Sequence, residues 1–369
     1  MKILTRTIIV LVIGLMLLGG VLVFSASSTY SMTKFDNVYL LFNSHLWKIF
    51  AAIAAMIIFA MIPYEYYKKY SKHALLGVVF LLLLTLIFSA KVKGASRWLD
   101  LGFIQFQPSD LAKIILMMHL ATMIEKRGDQ IQDFKNGLAY LLFWIIVVSG
   151  LVLVQPNLST SMIMVISSFT LLYIGGARLK HLSFILGGAA GAGFSLMMLF
   201  AHSRARIFSY VNSLVNGGIN NIQVFQARIA LGSGGLVGKG IGNSRQSDLF
   251  LPESYGDFIF SILGEEYGYL GAVITLLAYF LIFFAGLLIA KRTADRFGQL
   301  LAFGLSFNIL ICAFINAGVV SGLLPTTGIT LPFISFGGTS IIIFAISVGI
   351  ILNIANENLK KRELTLAQA

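Results

Sequence analysis

Fifteen carboxylates occur in this chain, and four of them, Asp110, Asp257, Glu265 and Glu266, adjoin or enter strongly apolar sequence. An ionisable group in such a setting is costly and marks a functional candidate. Asp257 follows Gly256 and opens the run Asp257-Phe-Ile-Phe-Ser-Ile-Leu-Gly-Glu265-Glu266. Two readings stand side by side. The free N–H groups and the dipole of a helix start favour an acid there. Equally, a carboxylate held at an interface beside an anion-friendly loop can act as a general base. Glu265 and Glu266, about 12 Å farther along the same helix, read as hydrogen-bonding partners of neighbouring helices. The acids Glu65, Glu125, Asp129, Asp133, Asp295, Glu357 and Glu363 read as ordinary solvated charges.

The cations that could serve an anionic substrate come from three places. In Phe106-Gln-Pro-Ser109-Asp110-Leu-Ala-Lys113, Pro108 suits the first helical position and Asp110 the acid-favouring first turn. Lys113 follows Asp110 by three residues, on the same helix face. It either snorkels to lipid headgroups or faces inward to pair with Asp110, Asp257 or an anionic ligand. Arg97 lies in Gly94-Ala-Ser-Arg97-Trp98-Leu-Asp100. The third place is Gly232-Ser-Gly-Gly-Leu-Val-Gly-Lys239-Gly-Ile-Gly-Asn-Ser-Arg245-Gln. A nucleotide-binding P-loop fails on spacing, because Ser233 stands where glycine is needed and Gly240 where Ser or Thr is needed. Six glycines within eleven residues either present backbone N–H groups to an anion, with Lys239 and Arg245 adding charge, or form a flexible loop. His119 reads as a helix packer, and His181 and His202 as interfacial; no cluster has zinc-ligand spacing. Gln155-Pro-Asn157 and Pro325-Thr-Thr-Gly-Ile-Thr-Leu-Pro332 interrupt the helical pattern and read as re-entrant turns lining a cavity.

The elements that must position these residues follow from composition. The 369 residues are 57% hydrophobic and 11% charged, with mean hydropathy +0.88, against about 45–50% and 25% in soluble domains. A soluble enzyme is excluded, disorder likewise, and the single Cys312 excludes a disulfide framework. The expected fold is an all-α polytopic membrane protein. Stretches of about 20 apolar residues fall near 7–25, 46–63, 74–90, 109–125, 138–154, 159–175, 182–200, 257–289, 300–320 and 338–355, about ten spans. The eighth is too long for one crossing, so its first turns lie at or above the interface. The basic start and Ser25-Ala26-Ser27 hint at a cleaved signal, but the apolar run exceeds the usual ~7–15 residues and reads as a retained span.

The net charge of +12 is a topology signal rather than a nucleic-acid footprint. With the N-terminus inside, 16 of the 27 Lys and Arg residues fall in inside segments and 6 in short outside segments. Both termini are then cytoplasmic. Residues 201–256 form one long periplasm-facing loop, whose apolar patches, such as 219–229, suit helices lying on the outer membrane face. The whole chain, 1–369, reads as a single membrane domain without internal repeats.

Arg97-Trp98-Leu99, Gln107-Pro-Ser-Asp-Leu-Ala-Lys113, Gly234-Gly-Leu-Val-Gly-Lys-Gly240, Pro252-Glu253, Asp257-Phe-Ile-Phe260 and Gly264-Glu-Glu266, in this order, resemble the SEDS family of bacterial peptidoglycan polymerases, whose members include FtsW and RodA. The resemblance runs from Phe24-Ser-Ala-Ser-Ser28 to Leu331-Pro-Phe-Ile-Ser-Phe-Gly-Gly338. Gly242-Asn-Ser-Arg-Gln246 and Gly322-Leu-Leu-Pro-Thr-Thr-Gly328 lean toward the FtsW, cell-division branch, with the RodA, elongation role as the alternative. The resemblance implies the ten-helix SEDS fold and a glycosyltransferase that polymerises lipid II at the outer face of the bacterial cytoplasmic membrane, releasing undecaprenyl pyrophosphate. It makes Asp257 the essential acid and Asp110 and Lys113 functional residues. It also implies a class B penicillin-binding protein partner among other divisome or elongasome membrane proteins.

In that chemistry Asp257 is the general base. Lys113, Arg97, Lys239 and Arg245, in falling order, serve the pyrophosphate together with Ser109. A divalent cation (Mg or Mn) bridging to Asp110 or Asp257 is the expected cofactor, with no organic cofactor. Two positions depart from the family pattern: Asn157 stands where Asp is common, and Gly256 where Thr is common. The competing functions are a lipid II flippase, which intramembrane charges and broken helices suit as well, and a scaffold for a transpeptidase.

Overall fold

A computed structural model describes every residue except 90–96, 101–104, 200, 217–220, 249 and 369. Residue 219, expected to begin an amphipathic patch, and residues 94–96 before Arg97 lie outside the described residues. Each of the ten apolar stretches coincides with a helix: α1 (Lys2–Phe35), α2 (Leu40–Met61), α3 (Tyr64–Phe88), α4 (Pro108–Arg127), α5 (Ala139–Val154), α6 (Leu158–Ile174), α7 (Leu179–Leu199), α10 (Ile259–Arg292), α11 (Arg296–Val320) and α12 (Ser340–Gln368). The long loop adds α8 (Ala201–Asn216) and α9 (Ile222–Ser233). Among the described residues, seven helices are long and apolar enough to cross a membrane, and α6 is a shorter apolar helix. A two-residue hairpin not foreseen in the sequence, β1 (Leu99–Asp100) with β2 (Gln105–Phe106), pairs Leu99 with Phe106 and Asp100 with Gln105.

The helices start and stop on local chemistry. Pro108 occupies the first position of α4, behind Gln107 at the N-cap, where its missing N–H costs nothing. Asn221 caps α9 by accepting from the N–H groups of Gln223 and Val224, and Asp295 caps α11 by accepting from Gly298 at 2.8 Å. Helix pairing is close where small residues allow it. Gly286 of α10 faces Ser306 of α11 so tightly that a side-chain carbon would overlap the serine hydroxymethyl, the small-residue contact that membrane helices favour. The buried apolar side chains form one continuous cluster that draws on nearly every long helix.

Two interruptions shape the end of the bundle that carries the long loop. Helix α10 has 34 residues, about 51 Å, well beyond a ~30 Å hydrocarbon core. It breaks at Gly268, whose φ is +68°, leaving a short first segment and a spanning segment of roughly 36 Å. The second interruption is the chain between α11 and α12. There Phe333 and Ile334 press against Gly19, about 26 Å along α1 from its start. Leu331, Phe333, Ile334 and Ser335 are all buried, and Tyr279 of α10 donates its hydroxyl to the Pro332 carbonyl. Non-helical backbone at such depth is tolerated only inside protein or along a cavity.

Candidate active site

Asp257 is delivered by a series of tight turns. The N–H groups of Gly256 and Phe258 both donate to the Glu253 carbonyl, and α10 begins at Ile259 with Phe258 at its N-cap. Asp257 therefore stands one residue before the cap, not in the first helical turn. Its turn is held from three sides. Ser254 Oγ donates to the Ala26 carbonyl of α1 at 3.1 Å, and the Phe336 N–H donates to the Tyr255 carbonyl at 2.9 Å. Asn316 of α11 donates its side-chain amide to the carbonyls of both Asp257 (2.8 Å) and Ile329 (2.7 Å). Burial, followed by the charge of Glu253, pushes the Tyr255 phenol above its ordinary range. The Asp257 side chain is half-buried, and a methyl group on Gly328 would lie 3.5 Å from its Oδ2. Gly328 itself is exposed, so the carboxylate edge borders an opening.

The sequence left Lys113 with two readings, and the geometry selects the inward one; Asp110 stands in the first turn of α4, as its position suggested. Lys113 Nζ lies 2.9 Å from Asp110 Oδ1, both residues being only 7% exposed. Lys113 does not snorkel. It points into the bundle, its ammonium 5.5 Å from the Phe344 ring of α12. Helix α11, in which Cys312 is buried, packs against α4. Cys312 precedes Asn316 by four residues, about 6 Å along one helix. Helix α11 thus carries the Asp257 staple and also packs against the helix that bears the ion pair.

A polar network surrounds the outer turn of α4. Ser109 is fully buried and accepts from Gln107 Nε2 (2.9 Å) and Asn157 Nδ2 (3.3 Å). Arg97 Nη2 donates to the Pro156 carbonyl, in the break between α5 and α6. The Gln107 N–H reaches Thr339 Oγ1 at the start of α12. Gly338 abuts Trp98 and the Gln105 carbonyl so closely that any side chain would overlap them. Arg97 is thus tied to the α5–α6 break, Ser109 to Asn157, and the segment before α12 to Trp98, Gln105 and Gln107 ahead of α4. Ser109, with no exposed surface, orients Asn157 rather than presenting itself to a ligand.

The glycine-rich loop has a different task from either one expected of it. It threads into the break of α10. The N–H groups of Lys239 and Gly240 donate to the carbonyls of Glu265 and Glu266, and the carbonyls of Gly235 and Leu236 accept from Tyr269 and Leu270. Side chains at Gly234 or Gly238 would overlap α10 backbone, and Gly238 also has a φ of +84°. Those N–H groups satisfy helix carbonyls, so they are not a free anion cradle. Lys239 Nζ pairs with Glu265 Oε1 at 2.6 Å, and Glu265 also accepts from Ser233, Ser244 and the N–H groups of Arg245 and Gln246. Glu266 accepts from Ser25 of α1. Arg245 is exposed on this loop. Helix α9 packs against α10 and α11, which anchors the loop to the bundle.

Sequence reasoning missed Asn316. A lone amide in the apolar run Leu310-Ile-Cys-Ala-Phe-Ile-Asn316-Ala was the available signal, because polar groups at membrane depth are seldom idle.

Comparison with known proteins fits this arrangement. The FtsW/RodA/SpoVE family of cell cycle proteins matches residues 5–360. This chain belongs to that family. It is 35% identical over 351 residues to the probable peptidoglycan glycosyltransferase FtsW of Geobacter metallireducens, covering 94% of this chain and 93% of that one. Stage V sporulation protein E of Bacillus subtilis is 34% identical over 353 residues, covering 94% and 96%. A solved structure concerned with polymerization and crosslinking by a peptidoglycan synthase complex contains a chain with TM-score 0.78 at 22% identity, covering 95% of this chain and 97% of that chain. The fold is thus that of a multi-pass membrane protein of the SEDS type.

Proposed function

We propose that this chain is a peptidoglycan glycosyltransferase that polymerises lipid II, serving the cell-division branch, with its site facing out of the cytoplasm. The observation that carries the reading is Asp257, half-buried at an opening beside Gly328 and stapled through Asn316 of α11, the helix that also packs against α4 with its buried Asp110–Lys113 pair. The sequence similarity to proteins named as probable peptidoglycan glycosyltransferases supports it.

In the reaction, the 4-hydroxyl oxygen of an acceptor sugar attacks the anomeric carbon of a lipid-linked donor. A new C–O bond forms while the bond from that carbon to the diphosphate breaks, its electron pair leaving with undecaprenyl pyrophosphate. The hydroxyl proton passes to Asp257, and such general-base help contributes about 10²–10⁴-fold. The leaving group gains negative charge, which fixed cations in a water-poor cleft stabilise. Lys113 is the cation assigned this task here, with Asp110 fixing its position. Arg97 shapes the neighbouring wall through Pro156. Lys239, paired with Glu265, holds the loop, and Arg245 meets substrate only from the exposed rim.

A divalent cation would neutralise the departing diphosphate. Among the described residues no three of His, Cys, Asp and Glu cluster closely enough to hold one alone. Asp110 Oδ1 is taken by Lys113, so Asp257 would have to share Mg²⁺ or Mn²⁺ with phosphate oxygens, a usual arrangement for Mg²⁺. EDTA is then expected to stop polymerisation and added Mg²⁺ or Mn²⁺ to restore it. The partner proposed is a class B penicillin-binding protein that crosslinks the product strands. Purified protein given lipid II in detergent, where no second leaflet exists, tests the reading. Glycan strands are expected, and a flippase or scaffold would make none.

A further inference from the structure

The cations expected around the site are mostly engaged: Lys113 by Asp110, Lys239 by Glu265, and Arg97 by the Pro156 carbonyl. Lys48 of α2, which no motif marks, differs. Its ammonium lies 4.0 Å from the centroid of the Phe336 ring, and among the described residues no carboxylate pairs with it. His45, three residues earlier and so on the same helix face, has no exposed surface. Its ring stands 5.9 Å from the same Phe336 ring, and neither ring nitrogen has a hydrogen-bond partner. Buried side-chain polar atoms without partners are uncommon and call for a reason. Phe336 in turn is tied to the Asp257 turn: its N–H donates to the Tyr255 carbonyl, and the two rings lie 5.7 Å apart. Trp47 and Phe50, exposed beside Lys48 on α2, offer apolar surface.

We propose that Lys48 and His45 form a seat for the diphosphate of a polyprenyl-linked substrate or product on the α2 side of Asp257, with the Phe336 ring turning aside to admit it. The assignment rests on the proposed function and names a site within it. An ammonium is a compact point charge suited to phosphate oxygens. The aromatic face of Phe336 holds it in place. Once Phe336 moves, the imidazole beneath supplies a second nitrogen, and the exposed aromatic residues flank a prenyl chain. A free phosphate would not use that apolar surface.

The test is binding to the full-length protein carrying Asp257→Asn, so that turnover cannot interfere, in phosphatidylcholine nanodiscs. Undecaprenyl diphosphate, inorganic pyrophosphate and phosphatidylglycerol are the probes. Lys48→Gln is expected to weaken undecaprenyl diphosphate at least about tenfold, the scale of one lost charge-assisted contact. Lys48→Arg should restore it, and phosphatidylglycerol should be unaffected. Phe336→Leu should bind undecaprenyl diphosphate at least as well as the parent, and this variant decides the matter if Lys48→Gln does not fold. Unchanged affinity in Lys48→Gln, or weaker binding in Phe336→Leu, overturns the proposal. So does an equal loss for phosphatidylglycerol, or inorganic pyrophosphate binding as tightly as the lipid. Failure of the polymerase reading itself would show separately, as wild-type protein that makes no glycan.

Discussion

Two lysine–carboxylate pairs lie near the loop-bearing end of this molecule and are built in opposite ways. Glu265 is saturated. Lys239, two serine hydroxyls and two backbone N–H groups converge on it, while Lys239 stays partly exposed. Asp110 and Lys113 are both nearly sealed from solvent, and the ammonium has Asp110 and an aromatic face as its neighbours. A fully hydrogen-bonded carboxylate at the junction of a loop and a broken helix rigidifies what it joins. A buried pair with few supporting bonds is weak support for stability, so its retention calls for another use. Its placement beside the helix that holds Asp257 supplies one. The first pair fastens the glycine-rich loop to the broken helix; on the proposed function the second supplies charge within the site.

Substitutions can break that contrast. Lys113→Ala has the largest expected effect, because it strands the Asp110 carboxylate in the bundle. A loss of about 3–5 kcal/mol in stability is expected, together with lost lipid II polymerisation, read by melting and by gel analysis of the glycan. The paired change Lys113→Met with Asp110→Leu sharpens the point. Replacing a buried ion pair by apolar groups is often neutral or stabilising, so this variant should melt near wild type and make no glycan. Glycan from it would reduce the pair to scaffolding. Glu265→Gln comes next: charge-assisted bonds worth about 1.5–3 kcal/mol are weakened, the loop loosens, and proteolysis between 233 and 246 speeds up. Polymerisation per folded molecule should stay near wild type. Arg245→Ala is the smallest, within about 0.5 kcal/mol in stability. Any rise in its KM for lipid II should fade as salt passes about 0.15 M, where exposed charges are screened.

Much of this was legible in the sequence, for identifiable reasons. The spans were, because hydrocarbon demands long apolar helices with internally paired backbone. The Asp110–Lys113 contact was, because a spacing of three fixes two side chains on one face. The overlong eighth span announced a helix that could not cross in a straight line, though not that Gly268 would break it. The glycine run was legible only as an unusual backbone requirement. Its partner proved to be the α10 carbonyls, more than 20 residues away in sequence, and backbone-to-backbone bonds of that range leave no local pattern. Asn316 and His45 were hidden for a related reason. A single polar residue in an apolar helix shows that a partner or ligand is needed, but the chain that comes to meet it is set by tertiary packing.

The proposed reaction depends most on the carboxylate of Asp257. Purified Asp257→Asn, matched to wild type in melting temperature and given lipid II in detergent, should make glycan at least about a hundredfold more slowly, since amide in place of carboxylate removes the base. Polymerisation by the folded variant at the wild-type rate would contradict the assignment of the proton to this residue.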